Sequence, residues 1–350
     1  MKKALTNIAK FLFFLGIGIL LIWLVVKDKT PKERSDIKNS ILQADYMWIV
    51  LSVIVSGLSH YFRAVRWKIL LAPLGHKPKT SNAFFSVMAG YLSNLGIPRL
   101  GEVVRCGLFD RYEKVPFVQG FGTVIAERAI DVICLLILFF LTLGIEFKKI
   151  SGIANDLIFA NVSAKFNALT QKPMFMTVAL VVLTIGVAGF FYFRKKIRAL
   201  MSGKIKGFIG GLWDGLMSVK KVNQPVLFVV YTVGIWLMYI LQVYVCFFAF
   251  TELSHLSFIV AIVITVFGSV AIIVVPGGTG MYQIIVVQIL TTVYMISSTS
   301  AFAFAWAVWV SQIFLILLAG IISFILLPLL NANYKPKEGQ EQQEISSQPL

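Results

Sequence analysis

Two apolar stretches of this chain are interrupted in the same way. The first runs from Gly90 through Asn94, Ile97, Pro98 and Arg99 to Gly101 and Glu102; the second runs from Gly268 through Pro276, Gly277, Gly278 and Thr279 to Gly280. In each, a glycine precedes a proline by eight residues and another glycine follows within four. Proline removes a backbone donor and glycine loosens the chain, so both leave backbone groups that a helix would otherwise pair. Lipid has no water to pair them, and such breaks survive only where protein or a wet cavity surrounds them. Interrupted apolar segments at corresponding places in two halves are the best sequence pointer to a binding site inside the bilayer.

The rest of the chain is compatible with that setting. Of its residues, 58% are hydrophobic and 14% charged, well outside the range of a soluble domain. Lys and Arg outnumber Asp and Glu by 32 to 16. In a soluble protein that excess would suggest nucleic acid. Here the basic residues sit mostly in short loops between apolar runs, where they set topology and face anionic headgroups. No nucleic-acid partner is expected. Cys106, Cys134 and Cys246 are far apart, and His60, His76 and His255 are scattered, so neither a disulfide framework nor a metal site is expected. Gly277-Gly278-Thr279-Gly280 lacks the Lys-Ser/Thr ending of a nucleotide loop, and no cofactor is expected.

Full-length apolar segments occur at about 8–26, 46–62, 130–147, 174–193, 226–250 and 301–327, each near the roughly 20 residues needed to cross. The run at 8–26 ends in Lys27-Asp28-Lys29 without a small-residue cleavage site, which fits a retained span. Shorter pieces at 83–97, 117–129, 257–275 and 281–298 form two pairs, each around or after a Pro-Gly break. The basic loop 194–221 is expected inside, as is the tail, whereas 251–256 and 295–300 carry no Lys or Arg and are expected outside. Segment 27–45, with five Lys/Arg, conflicts with that scheme. Three crossings separate the two prolines, so the second break faces the opposite way. The chain is therefore expected to be an all-α polytopic bundle of 6–8 spans, with two broken or re-entrant helix pairs in an inverted repeat, about 46–147 against 226–327. Residues 1–330 form one transmembrane domain in this reading, and 331–350 a disordered cytoplasmic tail. Hydropathy leaves two options open for 257–298: a re-entrant hairpin, or two ordinary spans joined by a turn.

Three charged groups accompany the first break. Arg99, Glu102 and Arg105 would share one helix face, with Asn94 nearby. Glu127, Arg128 and Asp131 open an apolar span; Glu127 and Asp131 share a face and Arg128 can pair with Asp131. They suit either a structural ion-pair knot or a binding site. His60, Arg63 and Arg66 end the second span, where the arginines are expected to snorkel to the interface beside Trp67. Arginine's planar fork suits a phosphate. Helix N-termini after Pro98 and Gly280 would add free N–H donors, and Gly277 and Gly278 would let backbone approach a ligand.

At these residues the chain resembles the flippase-like family, the transmembrane region of lysylphosphatidylglycerol synthase (the multiple peptide resistance factor). The likeness rests on Asn94…Ile97-Pro98-Arg99-Leu100-Gly101-Glu102…Arg105, Glu127-Arg128…Asp131, Arg66-Trp67…Leu70-Leu71 and Pro276-Gly277-Gly278-Thr279-Gly280, in order over nearly the whole chain. It implies a helical bundle with re-entrant pieces and movement of an aminoacylated lipid between leaflets. The family often has an acid where this chain has Gln283, and the soluble aminoacyl-transfer domain is absent from the sequence, so the likeness implies lipid handling and not lipid lysylation.

The resulting expectation is a non-enzymic flippase or transporter for an anionic or aminoacylated phospholipid in a bacterial inner membrane, with a cytoplasmic C-terminus and room for homo-oligomers. Asn94, Arg99, Glu102, Arg105, Glu127, Arg128, Asp131, Gly277, Gly278 and Gln283 would line a cavity between the two breaks. Arg99 and Arg105 would hold phosphate. The alternatives are a membrane-embedded enzyme or an accessory scaffold in envelope metabolism.

Overall fold

Asp45 opens the first long helix: its side chain accepts the Met47 N–H at 3.0 Å, and twenty-six residues of mostly apolar sequence follow before Gly75 turns the chain in the left-handed region. The computed structural model describes residues 31–97, 99–153, 203–274, 278 and 280–332. The apolar runs at 8–26 and 174–193, the tail beyond 332, and Pro98, Pro276, Gly277 and Thr279 lie outside the described residues.

The described elements are all helical. They comprise α1 (Pro31–Leu42), α2 (Tyr46–Leu71), α3 (Thr80–Gly96), α4 (Leu100–Glu113), α5 (Phe117–Ile153), α6 (Gly203–Met217), α7 (Pro225–Phe247), α8 (Phe258–Val274), α9 (Met281–Thr292) and α10 (Ser298–Leu330). Four stretches are long and apolar enough to cross a membrane: Tyr46–Leu74, Phe117–Glu146, Pro225–Phe247 and Ser298–Leu330. The chain is a polytopic helical membrane protein.

Two compact units divide it, Met1–Leu138 with Leu212–Leu350, and Phe139–Gly211. The described part of the second unit is the end of α5, which departs from helical geometry at Glu146, and the start of α6. Everything below concerns the first unit.

Within it the order long, short, short, long occurs twice: α2-α3-α4-α5 and α7-α8-α9-α10. Superposing the two Gly…Pro intervals makes α3 and α8 begin and end at matching positions. The equivalent helices α2 and α7 run antiparallel along their contact. Trp48 meets Phe248 with ring centroids 5.0 Å apart, Phe62 meets Tyr231 at 5.5 Å, and Ile69 and Leu70 pack on Phe228. Antiparallel equivalents are what an inverted repeat requires.

One boundary differs from the sequence expectation. Residues 117–129 are not a separate short piece; they are the opening of the long helix α5. The true partner of α3 is α4, which hydropathy passes over because five of its fourteen residues are charged. α3 and α4 form a tight hairpin. A Cβ on Gly90 would lie 2.9 Å from the Gly101 carbonyl oxygen, so the two backbones touch where only glycine fits. This hairpin rests on α2 and on α10, whose Gly320 accommodates Leu92. Asn82 locks the outer end of α3, bonding Glu113 at 2.6 Å and Asn331 at 3.0 Å. The second hairpin, α8 and α9, lies against α7 and α10.

Candidate functional site

Four helices of the first unit bring charge to one buried point. α2 supplies Arg63 and Arg66, one turn apart and 3% and 0% exposed. α4 supplies Arg105, 4% exposed. α5 supplies Glu127, fully buried, and Asp131 one turn on. α7 contributes hydroxyls. Arg63 reaches Glu127 at 2.5 Å, Asp131 at 2.7 Å and the Tyr239 hydroxyl at 3.0 Å. Arg66 reaches Asp131 at 2.7 Å and Thr232 at 3.5 Å, and Arg105 reaches Glu127 at 2.9 Å. The Arg105 guanidinium also lies over the Trp67 ring, 3.7 Å from its centroid, a cation–π contact that removes it further from water. Trp67 is held by its own N–H to Thr123 Oγ1 at 2.8 Å.

These pairings correct the sequence expectation for α2. Arg63 and Arg66 do not snorkel to the interface beside Trp67. Glu127 is buried and Asp131 partly buried on the facing helix, and a buried carboxylate needs a cation more than an arginine needs the surface. The signal was present in the sequence: His60, Arg63 and Arg66 recur every three residues on one face of an apolar helix.

The expected ladder Arg99–Glu102–Arg105 does not form either. Arg105 turns to Glu127, and Glu102 pairs instead with Arg128 at 3.1 Å. Arg128 therefore does not pair with Asp131. Arg99 stands exposed at the N-cap of α4 with φ 65°, in the left-handed region.

Both breaks close on themselves through a side-chain amide. Asn94 Oδ1 accepts the Gly101 N–H at 2.6 Å, and Gln283 Oε1 accepts the Gly280 N–H at 2.8 Å. Those two donors, expected to be free for a ligand, are occupied. Gly278 has φ 68°, and a Cβ there would lie 2.8 Å from Ile272 Cγ1, so this glycine serves the fold-back of the α8–α9 hairpin itself. Gln283 is buried, with Nε2 unpaired. Gly277 lies outside the described residues.

A shallow cleft, with room for about one water-sized sphere (about 10 Å³), opens beside the cluster. Val87, Gly90, Tyr91 and Asn94 of α3 line it, with Gly101, Glu102 and Arg105 of α4 and Arg128 of α5. All come from the first repeat. The described residues of the second break do not line this cleft.

Charge is unbalanced around this cleft. Three buried guanidiniums, Arg63, Arg66 and Arg105, face two carboxylates, Glu127 and Asp131; the outer pair of Arg128 and Glu102 leaves the excess unchanged. The excess positive charge sits where water is scarce, and a buried charge is stable only if something pairs it. Glu102 presents a buried Oε2 without a partner. His60, also buried, packs at a tilt against Tyr91 with centroids 4.7 Å apart.

These features define a polytopic helical membrane protein with a cationic cleft at the break of its first repeat. The chain belongs to the family of the lysylphosphatidylglycerol synthase TM region, whose model matches residues 7–320. It is also similar to the UPF0104 membrane protein MJ1595 of Methanocaldococcus jannaschii, 26% identical over 154 residues that cover 43% of this chain and 42% of that protein. The match thus spans well under half of that relative's length. No solved structure matches the chain.

Proposed function

We propose that this protein is a flippase: it binds the phosphate of an anionic or aminoacylated phospholipid in the cleft of its first repeat and carries the headgroup across the membrane, without altering it chemically. The observation that supports the reading is the imbalance of three buried guanidiniums on two carboxylates directly behind a cleft. A phosphodiester brings the missing negative charge and acceptor oxygens for Arg105 and Arg128. Glu102, with its unpaired oxygen, offers a carboxylate to an amine on the same headgroup. Acyl chains stay against the apolar outer faces, such as Val132, Ile133 and Leu136 of α5. The membrane in this reading is a bacterial inner membrane with the C-terminus inside, which the basic segment around Lys220 and Lys221 supports.

A second reading has one observation in its favour. Every guanidinium of the cluster already holds a carboxylate, which suits a structural knot in an accessory scaffold.

Reconstituted liposomes carrying fluorescent phospholipids separate the two. Arg128, partly exposed in its pair with Glu102, is the variant to use, because its loss leaves the buried cluster intact. The flippase reading expects headgroup movement above protein-free vesicles, reduced at least about tenfold in Arg128→Ala, the loss of one charge-assisted contact. Movement no faster than in protein-free vesicles supports the scaffold, and equal movement above that level by wild type and variant removes Arg128 from the site. A changed lipid mass would instead reveal an enzyme.

A further inference from the structure

His60 precedes Arg63 by three residues on α2, so the two side chains share a helix face. It is buried, and its Nδ1 has no hydrogen-bond partner. Buried polar nitrogens are nearly always paired, so an unpaired one inside a charged cluster asks for a function. Its nearest ring is Tyr91, which lines the cleft. The imidazole is thus one side chain away from the place where an anion would sit.

The charged and titratable groups around His60 are few. Arg63 lies on its own helix, and Tyr91 faces it from α3. Through Arg63 it senses Tyr239 of α7 and Glu127 and Asp131 of α5. With the cleft empty, this environment carries an excess of positive charge, and a proton on His60 would add another beside Arg63. An anion in the cleft cancels that excess. The proton is then no longer repelled.

We propose that His60 is a proton-binding site linked to occupation of the cleft, so that one proton enters with each anionic headgroup. It rests on the reading of the cleft as a phosphate site. The proton comes from water and adds to the Nδ1 lone pair; when the headgroup leaves, it returns to water. No bond of the lipid changes. Linkage is reciprocal: acidification favours headgroup binding as much as the headgroup favours protonation. A proton gradient across the membrane would thereby drive the lipid.

The test uses the purified full chain in detergent and dihexanoyl-phosphatidylglycerol, whose phosphodiester keeps one charge while histidine titrates, over about pH 5 to 8. Calorimetry in two buffers of different protonation heat counts protons. The expected result is about one proton taken up per lipid bound, with affinity falling by up to about tenfold per pH unit on going alkaline. His60→Gln is expected to bind at alkaline pH like wild type while losing both the proton uptake and the pH slope; His60→Asn serves if the Gln variant does not fold. Binding by wild type without proton uptake, or a pH slope retained in His60→Gln, overturns the inference and leaves the phosphate site standing. Failure of wild type to bind the lipid at any pH removes both.

Discussion

The two repeats share a backbone plan and share almost none of its chemistry. In the register set by the two Gly…Pro intervals, Arg63 and Arg66 correspond to Leu241 and Tyr244, and Glu127 and Asp131 to Ala305 and Trp309. Arg105 corresponds to Gln283, and Asn94 to Ile272. Every charge of the cluster is thus confined to the first repeat. Yet each hairpin closes by an amide on a backbone N–H, from Asn94 in one and Gln283 in the other. The duplicated feature is the break, and the charge is what distinguishes the halves. A broken helix in lipid must be paired by something, and the second repeat shows that neutral amides and glycine contacts suffice. On the proposed function, the ion-pair cluster of the first repeat serves the headgroup as well as the bundle.

The largest effect should come from removing the cluster's central anion. Glu127 holds Arg63 and Arg105 together and is fully buried. Glu127→Gln leaves Arg63 and Arg66 on Asp131 and Arg105 without a carboxylate, a loss expected at about 3–5 kcal/mol. Thermal unfolding in detergent would read it as a large drop in midpoint. Ala305→Val, at the matching position of the second repeat, should move the midpoint far less. Comparable drops would mean the halves are held alike and would erase the contrast.

Backbone contact comes next. A Cβ on Gly101 would run into the Gly90 carbonyl oxygen and lie 2.7 Å from Asn94 Cγ, whereas one on Gly268 would meet the edge of the Tyr282 ring at 2.6 Å. Backbone cannot give way and a ring can tilt. Gly101→Ala is expected to cost about 1–3 kcal/mol by overpacking. Gly268→Ala should cost less, with up to about 1 kcal/mol recovered from helix propensity. The reverse order, in the same unfolding assay, would show that the second hairpin is the tighter one.

How far these contrasts could be foreseen differs by residue. The paired breaks, the membrane setting and the antiparallel halves follow from glycine, proline and apolar spacing, which act locally. Glu127 and Asp131 announce a common face through their four-residue interval. The partners of those carboxylates do not announce themselves, because Arg63 and Arg66 end an apolar helix in a pattern that interface anchoring produces equally well. Only the tertiary crossing of α2 with α5 and α7 decides between them. α4 was illegible for the converse reason: five charges make it look like a loop, and its place in the bundle rests on tertiary contacts, the glycine approach to α3, Phe109 against Trp67 and Arg105 on Glu127. The two donors at the breaks are satisfied by Asn94 and Gln283, neither of which has a spacing signature strong enough to assign the bond in advance.

Those two amides give a smaller, sharper test. Asn94→Ala and Gln283→Ala each leave one backbone N–H without its acceptor, at a cost of about 1 kcal/mol apiece. Because the stability costs are matched, any difference in function isolates the first repeat. Asn94→Ala opens an N–H onto the cleft, so lipid movement in liposomes should change with it and stay near wild type in Gln283→Ala. Equal functional effects would place the second break in the transport path as fully as the first.

The smallest expected effect lies outside the membrane, where α7–α8 and α9–α10 connections meet. Glu252 caps the start of α10, accepting the Ser297 N–H at 2.7 Å and the Ser297 hydroxyl at 2.6 Å. Burial alone would push its carboxyl up, but the hydrogen bonds from Ser297 and Ser300 and the neighbouring His255 outweigh it and hold the group below its ordinary range. A carboxylate held down in the folded state stabilises above its unfolded value and loses that contribution as pH falls through the folded one. The wild-type midpoint should therefore exceed that of Glu252→Gln at neutral pH, and the gap should close only in the acid range. The residue is exposed, so solvent screening keeps the gap small. At the start of α5, the equivalent helix, the Gly120 N–H bonds the Pro116 carbonyl at 3.0 Å. A gap that persists unchanged into acid would mean that Glu252 acts through shape, and that the second repeat is as insensitive to pH at its loops as at its break.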